Sequence, residues 1–224
     1  MTDISRPVLI GGFVLTFISG IVNAVGFLSF AHQGLTHLTG ITTHISISAN
    51  EGSFVSVARL STLVFSFVVG AIVSGAIIQK SNLKLGRNYG FALLLESTLL
   101  YLAIHFLKNS SLIGECLVAS ACGLQNAMAT TYAGSILRTT HLTGVFTDLG
   151  LWIGHFLRKL PVENFALKIY LTLICGFLIG GFVGAILFRH LEYNALLIPT
   201  VLLGLVGFAY IYFELSNRNE SNVE

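Results

Sequence analysis

Charge is what this chain has least of. Of its 224 residues only 10% are Asp, Glu, Lys or Arg and 54% are hydrophobic, whereas an ordinary soluble domain carries about a quarter charged. With a mean hydropathy of +0.82, a water-soluble fold cannot hide so much apolar side chain. The net charge of +2 is too small, and the basic residues too scattered between apolar segments, for a nucleic-acid-binding face. Cysteine is scarce too: Cys116, Cys122 and Cys175 lie inside apolar segments without CxxC spacing, and read as small core residues rather than metal or redox groups. There is no GxSxG, HExxH, P-loop or strand-borne GxGxxG, so no enzyme motif stands out and no cofactor is expected. Nor is there the ten-residue alternation of an outer-membrane barrel. Helices remain as the spanning structure, because lipid offers no water to unpaired backbone groups.

What the chain does have is long runs free of charge. Residues 60–78, 89–103 apart from Glu96, and 167–188 apart from Lys168 each approach the roughly 20 residues that cross a bilayer as a helix. Eight apolar stretches stand out: 8–30, 35–50, 60–79 and 89–107, then 112–133, 139–157, 167–188 and 195–213. The first follows Arg6 and runs on too long for a signal peptide, so it is read as an uncleaved span.

The two sets of four are related. Gly20-Ile-Val-Asn23-Ala24 returns as Gly123-Leu-Gln125-Asn126-Ala127, and Thr36-His37-Leu38-Thr39-Gly40 returns as Thr140-His141-Leu142-Thr143-Gly144. Ser66, Gly70 and Ser74 correspond to Gly176, Gly180 and Gly184. This divides one integral membrane domain into a first repeat at 1–110, a second at 111–215 and a charged tail at 216–224.

The second stretch of each repeat is short and polar for its place, with Thr39, Thr42, Thr43 and His44 in one and Thr143, Thr147 and Asp148 in the other. If these are re-entrant or broken helices, each repeat crosses three times and the second is inverted. Positive residues cluster at cytoplasmic loops. The basic loops at Lys80, Lys84 and Arg87 and at Arg158, Lys159 and Lys168 fall on one side with six spans, together with Arg6 and the tail, but on opposite sides with eight. The expected fold is therefore an all-α polytopic membrane protein of two inverted repeats. Each holds three transmembrane helices plus one re-entrant or broken polar helix, and both termini are cytoplasmic.

The Thr-His-Leu-Thr-Gly segments are the first candidates for a site, because irregular polar backbone at membrane depth belongs where it lines a cavity or is buried in protein. Gly40 and Gly144 let the chain break, and Thr39, Thr43, Thr140, Thr143 and Thr147 offer hydroxyls to a ligand or to freed backbone. Half-helix N-termini meeting near the midplane suit a small anion or carboxylate, and unwound carbonyls a cation. The alternative is a close helix contact through small residues. Asp148 and His44, each one turn after its glycine, form a buried pair, a proton relay or a wet mouth. Glu96 reads as a coupling-ion site or a structural hydrogen bonder. Asn23, Gln125 and Asn126 either read a substrate or join helices. His32, His37 and His44 are close in sequence but lack a cysteine or carboxylate to complete a metal set.

At residues 20–27, Thr39-Gly40, residues 123–127 and above all residues 138–150, RTTHLTGVFTDLG, the chain resembles the YoaK-like bacterial inner-membrane proteins over nearly its whole length. The resemblance implies a bacterial inner-membrane protein and supplies no substrate. It leads us to expect Asp in relatives where this chain has Asn23, and Asn where it has Ile41, departures that take polar function from the first half. The functional expectation is a transporter or facilitator of a small solute between the repeats. Against it stands a non-transporting sensor, scaffold or enzyme. Expected partners are the lipid bilayer, a small molecule or ion, and a second copy of the chain if the glycine-lined faces are not consumed internally.

Overall fold

The computed structural model describes residues 6–29, 37–78, 87–133 and 141–221. All regular structure among them is helical: α1 (Arg6–Leu28), α2 (Leu38–Asn50), α3 (Phe54–Ile77), α4 (Arg87–Lys108), α5 (Leu112–Ala133), α6 (Leu142–Leu157), α7 (Asn164–Leu191), a 3-10 turn (Glu192–Leu196) and α8 (Leu197–Ser221). Five helical segments are long and apolar enough to cross a membrane, and the last, Asn164–Ser216, holds both α7 and α8. The 3-10 turn separates the two, and its first residue, Glu192, has a φ of 48°. The chain is a multi-pass membrane protein. α2 and α6, at 13 and 16 residues, reach only about 20 and 24 Å at 1.5 Å per residue, short of a hydrocarbon core of about 30 Å.

The long helices turn their large apolar residues outward. On α3, Leu63, Ser66, Gly70 and Ser74 are buried while Phe65, Val68, Val69 and Ile72 are exposed; on α7, Gly176, Gly180 and Gly184 are buried while Leu178, Ile179, Phe182 and Ile186 are exposed. That pattern fits lipid. Lipid tails accept large apolar side chains as readily as a core does, so helix association relies on close contact between small residues.

The repeats interlock rather than forming separate units. α1 packs on α7, α3 on α5, and α4 on both α5 and α8. The contacts are reciprocal. A Cβ added to Gly20 of α1 would strike the Phe177 carbonyl of α7, and one on its counterpart Gly123 of α5 would strike the Phe67 carbonyl of α3. Likewise Gly180 abuts the Phe17 carbonyl and Gly70 the Ser120 carbonyl, while the Ser120 hydroxyl donates to the Ser66 carbonyl at 2.9 Å. Gly176, Gly180 and Gly184 meet Phe13, Phe17 and Ile21 in order, so α1 and α7 run parallel, as do α3 and α5. The C-terminal part of α1 shares a small cavity with Leu107 at the end of α4, Val118 near the start of α5 and Tyr193 after α7. Hence α1 and α5 run in opposite directions.

The two short helices are each held by one buried residue, Ile41 in α2 and Val145 in α6, and these occupy equivalent places in the repeat. α2 rests on α3, and α6 more lightly on α7. Ile41→Ala is therefore expected to cost roughly 2 kcal/mol, read as a lower unfolding midpoint in detergent. An unchanged midpoint would mean that α2 is held by something else.

Several sequence expectations need correction. α3 begins at Phe54 and α7 at Asn164, so Arg59 and Lys168 lie inside helices rather than bounding them. α8 continues to Ser221, carrying helix into the segment read as a tail. Cys122 is buried and Cys116 half-buried, but Cys175 is exposed on α7 and is no core residue. The glycine-lined faces are consumed within the chain, which removes the reason for expecting a second copy there.

Candidate functional site

Both short helices begin at a histidine. His37 is the N-cap of α2 and His141 that of α6, and neither side chain caps its own helix. The two imidazoles lie within electrostatic reach of each other. The His37 ring also sits against Phe177, with ring centroids 6.2 Å apart, and Phe177 lies halfway along α7. The starts of α2 and α6 therefore lie near one another, level with the middle of α7. From there the helices diverge: α2 runs to the end where α3 begins, while α6 ends beside the start of α7, where Trp152 Nε1 donates to the Glu163 carbonyl at 3.0 Å. Two helix N-termini converging in this way concentrate unpaired N–H groups and partial positive charge.

Around this junction Thr39 and Gly40 are exposed, Thr143 is exposed and Gly144 half-buried. No atom lies within 4 Å of a Cβ built on Gly40 or Gly144, so among the described residues nothing packs against them as the carbonyls pack against Gly20 or Gly123. Thr43 donates to the Thr39 carbonyl at 3.0 Å and Thr147 to the Thr143 carbonyl at 2.9 Å, the same back-bond in each repeat. Thr140 falls outside the described residues, as do His32, Thr36, Lys80, Lys84 and Arg138.

The polar residues of α1 and α5 divide. Gln125 accepts from the Ser19 hydroxyl at 3.0 Å and donates to the Leu15 carbonyl at 3.1 Å, so both ends of its amide join α5 to α1. Asn23 and Asn126 are buried, and each has a partner. Glu96 is buried on α4, with Cys122 of α5 within electrostatic reach and its Oε2 without a hydrogen-bond partner among the described residues. His44 and Asp148 do not come together. Both are exposed, on helices that run apart, with Asp148 in the field of Tyr170 on α7.

His44 instead lines a pocket of about 150 Å³ with Ser48, Ser56, Arg59, Leu60, Leu63 and Glu115. Arg59 of α3 is ion-paired with Glu115 of α5. Neither residue is singled out by the sequence. Opposite charges a few residues into two helices at one level were the available signal. The repeat has no second copy of the pair: Ile169 stands in the place of Arg59 and Gly12 in that of Glu115. Ile169 is buried in a small apolar cluster with Val145, Leu173 and Ile174. The polar pocket thus lies where α2 and α3 of the first half meet α5 of the second, and the α1–α7 contact carries no such pair.

A family model described as a protein of unknown function, DUF1275, matches residues 11–209. The chain belongs to this family. No curated protein and no solved structure matches it. The stretch shared with DUF1275 runs from the second turn of α1 into α8, and holds both short helices, the ion pair and every candidate residue named above.

Proposed function

We propose that this DUF1275 protein is a transporter or facilitator of a small solute in a bacterial inner membrane, binding it at mid-depth between the starts of α2 and α6. In this reading the two repeats are inverted, α2 and α6 are re-entrant, and both termini are cytoplasmic. One observation carries it: the N-cap histidines of two helices too short to span lie within each other's field, level with the middle of α7. A packing motif needs neighbours for its glycines, and among the described residues no other helix comes within 4 Å of a Cβ placed on Gly40 or Gly144. The opposite directions of α1 and α5, the placement of the basic loops and the YoaK-like resemblance support the inversion and the membrane assigned.

At such a junction the helix N-termini favour negative charge, which points to an anion or a carboxylate-bearing solute. Asn23 and Asn126, at equivalent positions, supply amides for orientation, and Thr39 and Thr143 supply hydroxyls in the first turns of the short helices. Gln125 commits one donor and one acceptor of its amide to the α1–α5 contact, and keeps a second of each.

Sidedness tests the architecture. Single reporter cysteines at Asn82 and Glu163, in a cysteine-free background in intact cells, are expected to label as cytoplasmic at both positions; labelling on opposite sides would end the inverted arrangement. The site is tested by screening solutes for stabilisation of the purified protein and repeating the screen with Thr143→Val and Asp148→Asn. Both positions are exposed, so stability without solute should stay within about 0.5 kcal/mol while solute-induced stabilisation is lost. Variants that keep full stabilisation and transport in proteoliposomes would remove these residues from the site.

A further inference from the structure

We propose that the pocket between α2, α3 and α5 is a binding site for a small anion, with Arg59 as its principal ligand and Glu115 as the group that holds Arg59 in place. It lies at the end of the bundle where α3 and α5 begin, apart from the α2–α6 junction, and does not depend on the transport reading. The lining is rich in donors. Arg59 carries five N–H groups and its side chain is 44% exposed, whereas its partner Glu115 is 1% exposed. Ser56 accepts a hydrogen bond from the Ser53 hydroxyl at 2.8 Å, which leaves its own hydrogen to point elsewhere. Ser48 and His44 complete the polar wall. Glu115 is the one acidic lining group, and it is covered and already matched by the guanidinium.

Size and symmetry argue in the same direction. The pocket is about 150 Å³, a volume that in an apolar cavity holds a ring of about six carbons and so admits acetate, nitrate or phosphate. If the ion pair served only to pack the first helix of one repeat on the third helix of the other, the equivalent contact would need one too. That contact manages with Ile169 and Gly12. The pair is an addition to the packing scheme, placed where the chain leaves a cavity. A planar, forked guanidinium held by a buried carboxylate suits an oxyanion better than a lysine ammonium does.

The test uses the full-length protein in detergent, titrated with sodium acetate, nitrate and phosphate at constant ionic strength against sodium gluconate, a bulkier anion. At least one of the three should raise the unfolding temperature saturably. The effect should vanish in the double variant Arg59→Gln/Glu115→Gln, which removes both charges together, and Kd should rise about tenfold in Arg59→Lys. Ser48→Ala/Ser56→Ala should raise Kd severalfold, and an unchanged Kd would overturn the assigned lining. No saturable shift in the unaltered protein would show the pair to be structural. A shift that survives in the double variant would put the anion elsewhere. If the double variant does not fold, Arg59→Lys decides, and an unchanged Kd overturns the proposal.

Discussion

Arg59→Gln is expected to cost the protein about 3 kcal/mol, and Glu115→Gln only about 1 kcal/mol. The difference follows from where each charge is left. Glu115 is 1% exposed, so removing Arg59 leaves a covered carboxylate without its counter-charge, as in the breaking of a buried pair. Arg59 is 44% exposed and its long stem lets the guanidinium reach the headgroup region once its partner is gone. The double variant should recover most of the loss, because no charge is then left alone. Reversible unfolding in detergent micelles measures all three. Equal costs for the two single variants would contradict the burial difference on which the argument rests.

A glycine comparison should give the largest contrast in the molecule. Gly123→Val is expected to abolish folding, seen as loss of the monodisperse peak in size exclusion. Its Cβ would drive into the Phe67 carbonyl, a backbone atom that cannot move without separating α3 from α5, in a bundle held by such contacts. Gly144→Ala meets no neighbour within 4 Å among the described residues, so its stability should change by no more than about 1 kcal/mol, in the stabilising direction from better helix propensity. The sequence gives both residues the same standing, as glycines of a repeated motif. If Gly144→Ala folds well yet loses solute-dependent stabilisation, the glycine is needed for what approaches it. If Gly123→Val folds normally, the contact between α3 and α5 is not the one described.

Particular residues show why some features could be read early and others could not. The buried faces of α3 and α7 were legible because Ser66, Gly70 and Ser74 and Gly176, Gly180 and Gly184 recur every four residues, the spacing of one helix face. Gln125 was ambiguous, since an amide at membrane depth serves a ligand or a neighbouring helix equally well. Only the position of Leu15 and Ser19 on α1 decides for the helix. Arg59 was hidden for a different reason: a charge at the edge of an apolar run reads as a boundary unless its partner is visible, and Glu115 lies 56 positions away in the chain.

The sequence by itself determined that this is a multi-pass helical membrane protein, and it carries motifs of its first half again in its second. Composition and run length answer directly to the energetics of lipid, and a repeat is a property of the chain alone. It also marked the Thr-His-Leu-Thr-Gly segments as exceptional, because polar residues at that depth are costly without a purpose. Tertiary structure alone decided which helices pair, that the first helix of each half packs on the third helix of the other, and that the two motif histidines share a neighbourhood. It also revealed the ion-paired pocket where α2 and α3 meet α5. Those facts depend on contacts between residues far apart in sequence, whose geometry local periodicity does not encode.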